Sequence, residues 1–391
     1  MSAGTYGGEP YIRYICDGCE ESCDTRRFHC QECKDFDYCP ACYEAKGREC
    51  HRRHKWFSEE TLNQTDVKDR ILTQHHLGVG VMTFRATRLW ASRPCIGYAE
   101  DPKTPPPRAY KFLTYEEVRT RALSLLLGVH LRLLDSFDCA MPDREDARIA
   151  NHVEPLDHLP MRAAIFMKNC PEWVLADVAY AFGGFTSVPI DPHSMMESLA
   201  HILAITQARV IIVDEGCAPK LNALLQSACV DAAVSAEGAS PPFAALRLIV
   251  TNGPESMISP PPPWTVPSSK TAAATVCSLD TLISPDMRRR HSALIKEASS
   301  SNDGDLTIRR RDPEDVFTLL FTSGSTGRPQ GAIQTHKMWS QDTFELHLQA
   351  SPLVSCVYRP LCYATDREVL WRAISNGGRV AVFANDDMTT L

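Results

Sequence analysis

Residues 161–192 read MRAAIFMKNCPEWVLADVAYAFGGFTSVPIDP. The run from Ala163 to Met167 is short and apolar, as a strand covered on both faces reads. Asn169 stands where a helix cap belongs, and Pro171 suits a first helical turn. An apolar helix is predicted from Pro171 to Phe182, stopped by Gly183 and Gly184. Thr186 to Ile190 give a second strand. A further helix near Met195 to Gln207 leads into RVIIVD, the third strand, at 209–214. Strand, helix, strand, helix, strand predicts an α/β fold: a parallel sheet covered by helices.

The alternation continues outward. LRLIV at 246–250 and VFTLLF at 316–321 read as strands. HKMWSQDTFELHLQA, SCVY, REVLWRAISNG and RVAVFA extend the pattern to residue 384. On the N-terminal side, LTYEEVRTRALSLLLGVHLRLL from Leu113 offers a Thr cap, acidic first-turn residues and an apolar helical stripe. Residues 137–158 are polar, 216–243 are Ala/Ser-rich, and 251–305 carry SPPPPW, Ser/Thr runs and charge. These three stretches read as inserts, the last partly disordered.

VFTLLF is followed by TSGSTGRPQG, residues 322–331. Backbone amides at a strand end, with Gly324, Gly327 and Gly331 allowing close approach, can cradle a polyphosphate. The hydroxyls of Thr322, Ser323, Ser325 and Thr326 can bond its oxygens. No G-x-x-x-x-G-K-[ST] string aligns here, so this is not a Walker loop.

A different chemistry occupies residues 14–57, YICDGCEESCDTRRFHCQECKDFDYCPACYEAKGRECHRRHKWF. Three Cys-x-x-Cys pairs, Cys16/Cys19, Cys30/Cys33 and Cys39/Cys42, precede the pair His51/His54. Two residues between thiolates let both sulfurs reach one tetrahedral zinc, and eight such ligands make two sites. About 50 residues bury too little apolar surface to be secure alone, and structural zinc supplies the difference. Cys23, Cys50 and His29 are left over as non-ligands, with Cys50 a plausible substitute beside His51.

Composition bounds the rest. The 391 residues are 44% hydrophobic and 23% charged, enough for a real core and two or three domains. A net charge of −7 provides no basic field for nucleic acid. Arg288–Arg290 and Arg309–Arg311 lie in polar, loop-like sequence and read as solvated surface. No apolar run reaches the ~20 residues of a membrane span. The first residues lack a secretory pattern and the last match no anchoring signal. Dense cysteine pairs beside singly scattered cysteines point to metal rather than disulfides. A reducing, cytoplasmic setting is therefore expected.

TSGSTGRPQG, followed by a helix and then YRPLCYATDR, resembles the adenylate-forming superfamily of acyl-CoA synthetases, luciferases and peptide-synthetase adenylation domains. MKNCPEWVLADVAYAFGGFTSVPIDP and YRPLCYATDREVLWRAISNGGRVAVF are most similar to long-chain fatty acid–CoA ligases. The likeness covers roughly residues 80–391 apart from the inserts. It implies a carboxylate attacking the α-phosphate of Mg-ATP to give acyl-AMP and pyrophosphate, after which CoA thiol displaces AMP. Fatty acid, ATP, Mg2+ and CoA are the implied small molecules. Thr322, Ser323, Gly324, Ser325, Thr326, Gly327, Arg328, Gln330 and Gly331 would steady the phosphates, with Thr326 near the metal. The family pattern has Lys where Gln330 stands. One lost charge-assisted contact costs roughly 1.5–3 kcal/mol, and Arg328 can offset part of it. The family's later motifs, a Y-G-x-T-E segment, a T-G-D segment and a lysine-bearing C-terminal domain, have no match. The expectation is a partial adenylate-forming domain at 81–391, not a self-sufficient ligase.

CDGC and DFDYCPACY give residues 10–58 a resemblance to ZZ-type zinc fingers, with 59–80 as a linker. That family's cross-brace implies one zinc on Cys16, Cys19, Cys39 and Cys42 and a second on Cys30, Cys33, His51 and His54. It also implies a protein-binding role, with Asp17, Asp35 and Asp37 facing the free N-terminus of a protein tail. Turn capping is the competing use of those carboxylates. Two readings follow: a ligase-like enzyme recruited by its finger, or a protein-binding adaptor on an inactive nucleotide-binding scaffold. Peripheral membrane association is compatible with either.

Overall fold

The computed structural model describes residues 2–6, 9–13, 16–20, 23, 26–33, 36–47, 54–59, 78–100, 109–136, 161–234, 245–259, 264–265, 271–272, 274–285, 289, 311–322, 328–340 and 352–383. The expected insert at 137–158 lies outside them, as do Asp35, His51 and Ser323–Gly327.

A seven-stranded sheet carries the fold. Its order is Thr275–Ser278, Leu248–Asn252, Val210–Asp214, Arg162–Phe166, Thr186–Pro189, Val316–Thr322 and Gln330–Thr335. Neighbours run parallel except the last pair, an antiparallel hairpin. The apolar strands are buried on both faces. Ala163, Ile165, Val210, Ile212, Leu248 and Val250 join one core, while Ala164, Ile211, Val213 and Ile249 join the other. Helices Gly78–Leu89, Tyr115–Ser136 and Pro171–Gly183 pack on the first face; Met196–Thr206 and Ala218–Val234 pack on the second. This is the α/β fold that continuous apolar strands require.

A second sheet of four strands holds Val354–Val357, Arg379–Val382, Pro94–Ala99 and Tyr110–Thr114, in that order. The helix Ala364–Ser375 joins its first two strands and buries Leu370, Trp371 and Ile374 in the first core. The expected cap at Thr114 is present as a reciprocal box. Thr114 N donates to Glu117 Oε2 at 2.8 Å, and Glu117 N donates to Thr114 Oγ1 at 3.2 Å. The stop at Gly184 is also present, with φ of 63° at the end of Pro171–Gly183.

Four expectations change. Asn169 does not cap its helix: Cys170 is the N-cap residue, without a side-chain bond. Asn169 is instead drawn to a distant segment, described below. The expected insert at 216–243 contains the helix Ala218–Val234, whose Leu221, Leu224 and Leu225 are buried. Within 251–305, Thr275–Ser278 adds the outer parallel strand, and Cys277, Leu279 and Leu282 are buried with it. Finally, the helix Gly78–Leu89 begins inside the expected linker, with Gly78, Val79 and Gly80 buried.

The cysteine-rich segment forms a separate three-stranded sheet, Asp37–Tyr38, Arg27–Cys30 and Trp56–Glu59. Its small core comprises Cys16, Cys23 and Tyr38, flanked by Phe28, Phe36, Tyr43 and Trp56. Phe28 stacks on Tyr43 at 3.9 Å and Tyr38 on Trp56 at 5.6 Å. No helix among the described residues is long and apolar enough to cross a membrane.

Candidate functional site

Three neighbouring strands, Arg162–Phe166, Thr186–Pro189 and Val316–Thr322, release their loops at the carboxyl edge of the large sheet. Ligands of open α/β sheets bind outside that edge. The hairpin register places Thr322 opposite Gln330 and Phe321 opposite Gly331. A Cβ at position 331 would come 3.1 Å from the Phe321 ring, so glycine lets the ring lie across the pair. Thr322, Arg328, Gln330 and Gly331 stand exposed at the mouth of the Gly/Ser loop. Ser323, Gly324, Ser325, Thr326 and Gly327, the loop's centre, lie outside the described residues.

The segment Tyr358–Tyr363 lies against residues just past the strands Arg162–Phe166 and Thr186–Pro189, braced from three sides. Asp366 accepts from Tyr358 N and Arg359 N at 2.9 and 2.8 Å. Asn169 donates to Arg359 O at 2.8 Å and accepts from Leu361 N at 2.9 Å. These two bonds explain why Asn169 leaves its own helix end. The Tyr363 hydroxyl donates to Asp191 at 2.6 Å, and this bond pushes the phenol's pKa up. Asp214 at the next strand end accepts from Lys168 N and Cys217 N, at 2.7 and 2.8 Å.

Asp177 in the helix Pro171–Gly183 and Arg367 in Ala364–Ser375 form a fully buried ion pair. Arg367 donates through Nη2 and Nε to the two carboxylate oxygens of Asp177, at 2.6 and 2.9 Å. Ser187 Oγ and Trp371 Nε1 complete that carboxylate at 3.0 and 2.8 Å. Arg367 Nη1 reaches Thr318 Oγ1 at 2.8 Å. The rings of Trp339, Phe317 and Trp173 enclose the guanidinium at 5.0–5.8 Å. Near it, His336 accepts from Val79 N through Nδ1 at 3.1 Å, and its Nε2 meets no hydrogen-bond partner among the described residues. Burial, with the Arg311 charge, pulls His336 down to about 4, so the ring is neutral. None of these buried groups stood out in the sequence. The one available signal was Asp177, a carboxylate inside the apolar helix WVLADVAYAF.

In the cysteine-rich module two donor groups assemble. Cys16, Cys19, Cys39 and Cys42 bring their sulfurs within 4.8 Å of one another, and Cys30, Cys33 and His54 do the same with their ligand atoms. The six cysteines are free of disulfides, and His54 turns Nδ1 toward both Cys30 and Cys33 at 3.4 Å. Burial works against ionisation of Cys16, but the N–H groups of Cys39, Gly18 and Cys19 outweigh it and lower the thiol to about 7. Four convergent thiols with N–H donors aimed at them suit a soft divalent metal. His54 Nε2 lies 3.9 Å from Glu32, the carboxylate partner that metal-bound imidazoles commonly keep. His29 faces Asp37 at 2.9 Å, and Cys23 lies outside the four-sulfur group. Asp37 is buried, 3.3 Å from Arg27, and its N–H donates to Asp17 at 2.7 Å. Asp17 is exposed.

With this geometry in view, the AMP-binding enzyme family model matches residues 143–391. The chain belongs to the AMP-binding enzyme family. As a member it resembles long-chain-fatty-acid–CoA ligase 5 of Rattus norvegicus, 23% identical over 300 residues, 75% of this chain and 35% of the relative. A shorter stretch of 77 residues is 32% identical to carboxylic acid reductase of Mycobacterium tuberculosis, covering 19% of this chain and 7% of that protein. Among solved structures, a long-chain-fatty-acid-CoA ligase from Archaeoglobus fulgidus superposes with a TM-score of 0.51 at 17% identity, covering 79% of this chain and 47% of that one. The A domain of carboxylic acid reductase from Segniliparus rugosus, in complex with AMP and a co-purified carboxylic acid, gives 0.52 at 15% identity, over 83% and 48%. These superpositions show the fold of the chain. It spans about a third of the length of the curated long-chain ligases it matches.

Proposed function

We propose that this AMP-binding chain takes ATP at the carboxyl edge of its large sheet and activates a carboxylate there, as acid–CoA ligases do. One observation carries the reading: the hairpin sets Thr322 against Gln330 at the mouth of TSGSTGRPQG, at the same sheet edge where Asn169 and Asp191 hold the Tyr358–Tyr363 segment. Thr322, Ser323, Ser325 and Thr326 would bond the β- and γ-phosphates, with backbone amides at Gly324, Gly327 and Gly331 close behind. Arg328 would supply the positive charge that Gln330 does not. A carboxylate oxygen attacks the α-phosphorus, and the bond to the bridging oxygen of pyrophosphate breaks. Bound Mg2+ would neutralise the phosphates. A fatty acid is the substrate that the long-chain relatives suggest, with CoA as acceptor in the second step.

The cysteine-rich module is proposed as a ZZ-type finger. Cys16, Cys19, Cys39 and Cys42 would hold one zinc, and Cys30, Cys33, His54 and His51 the other. Its proposed partner is a protein tail with a free N-terminus. Asp37 is already engaged by Arg27 and His29, so among the described acidic residues the amine contact would centre on Asp17, with Asp35 as the further candidate in sequence. A free-amine peptide should then bind more tightly than its acetylated form, and equal binding would remove this role.

Carboxylate-dependent exchange of labelled pyrophosphate into ATP tests the first half-reaction. Exchange that rises with a long-chain acid supports the ligase reading. Gln330 in place of lysine favours a second reading, a nucleotide-binding scaffold for the finger. ATP binding without exchange under any acid would select it.

A further inference from the structure

We propose that Thr318, Arg367 and Asp177 form a positioning network for the phosphate loop, with the Thr318 hydroxyl as its coupling point. This inference rests on the nucleotide-binding reading above. The strand Val316–Thr322 carries the loop, yet its ladder with the parallel neighbour Thr186–Pro189 registers only the pair Thr318 and Ser187. Side chains take over what the ladder leaves out. Thr318 Oγ1 donates to Ser187 O at 2.9 Å, and Thr186 Oγ1 donates to Val316 O at 2.9 Å. Thr318 Oγ1 also accepts from Arg367 Nη1, and Ser187 Oγ donates to Asp177. The hydroxyl therefore closes a ring that runs from the loop strand through Arg367 and Asp177 back to the neighbouring strand.

The same ring reaches the Tyr358–Tyr363 segment. Asp366, next to Arg367, holds the N–H groups of Tyr358 and Arg359. Asn169, at the entry to the helix that carries Asp177, holds Arg359 O and Leu361 N. The loop strand and the Tyr358–Tyr363 segment thus connect to one buried anchor, in which Thr318, Ser187, Asp177 and Arg367 are all fully enclosed. A buried ion pair is a poor source of net stability compared with apolar packing; what it fixes is geometry. Asp177 and Arg367 satisfy each other without Thr318. The third bond, from Nη1 to Thr318, ties the strand that carries the loop to the helix Ala364–Ser375.

The test uses the full, metal-replete chain and two substitutions at Thr318 that separate its hydroxyl from its methyl. Thr318→Val removes the hydroxyl, and Thr318→Ser keeps it. Calorimetric titration with Mg-ATP should show affinity about tenfold weaker for Thr318→Val, the loss of one hydrogen bond to a charged group. Thr318→Ser should stay within about twofold of wild type, since its hydroxyl preserves that bond. Amide exchange should quicken in 319–322 and 330–334 for Thr318→Val, with the helix Pro171–Gly183 unchanged. Arg367→Lys keeps the charge but not the fork, and should give the same hairpin signature. Wild-type affinity and wild-type exchange in Thr318→Val would overturn the network. A wild-type chain that does not bind Mg-ATP would overturn the nucleotide reading instead. The exchange arm then decides whether Thr318 fixes the hairpin: quickened exchange supports it, and unchanged exchange refutes it.

Discussion

In the cysteine-rich module, Cys16, Cys23 and Tyr38 are the enclosed residues of the core, and the aromatic pairs Phe28–Tyr43 and Tyr38–Trp56 lie over them. In the α/β domain, whole helices such as Pro171–Gly183 are buried, and aromatic rings close around a single guanidinium. The first region has two groups of convergent thiol and imidazole donors. The second has apolar surface in excess and one charged pair within it. A small module must import its stability through ligands, whereas a large one generates it by burial and can place a buried charge for the sake of geometry.

The largest expected effect separates the two regions outright. If the module holds its two proposed zinc ions, a strong chelator should release about two per chain and abolish amide protection in 27–30, 37–38 and 56–59, because structural zinc contributes on the order of 10 kcal/mol. Protection in 161–214 should persist. Retained protection in the finger after metal removal would show that its aromatic core suffices, and the contrast would fail.

Next in size is the buried pair. Arg367→Met strands the Asp177 carboxylate and should destabilise the α/β domain by about 3–5 kcal/mol in urea unfolding. Tryptophan emission can follow it, since Trp173, Trp339 and Trp371 surround the site. Adding Asp177→Leu should restore much of the loss. Zinc content should not change in either variant. A double substitution no better than the single would mean that the pair does more than satisfy itself.

His336 gives a smaller, pH-dependent effect. Its folded value of about 4 lies below the ordinary 6.5, so the unfolded chain binds the proton more readily. Stability from this group is complete above about pH 6.5, falls as pH drops, and levels off below about 4, a total of about 3 kcal/mol. His336→Asn keeps an acceptor for the Val79 N–H without a titrating ring. Its stability should vary less with pH than wild type between about 4 and 6.5; matching profiles would assign the slope to other groups.

The two regions also differ in what the sequence discloses. Cysteine pairs announce themselves by local spacing, so the side chains that converge in the cysteine-rich module, the three Cys-x-x-Cys pairs and His54, were legible from their intervals. The strands at 162–190 were legible too, because buried parallel strands are continuous apolar runs ended by glycine. The helix Ala218–Val234 was not, since alanine and serine mark inserts as readily as helices. Thr275–Ser278 was hidden by its short length and its proline- and serine-rich surroundings. The Asp177–Arg367 pair joins residues 190 positions apart, and no local pattern encodes such a partnership. Asn169 shows the same limit: a cap by local rules, it serves a segment about as far away in sequence.

On the proposed function, the loop that opens between Thr322 and Gln330 meets the phosphates of ATP. Titration of Mg-ATP into the folded, metal-replete chain, beside its Gln330→Lys variant, tests it most directly. The expected result is measurable binding by the wild-type chain, tightened roughly tenfold when lysine restores a charge-assisted contact. Equal affinity of the two folded proteins, or no binding by either, would contradict it.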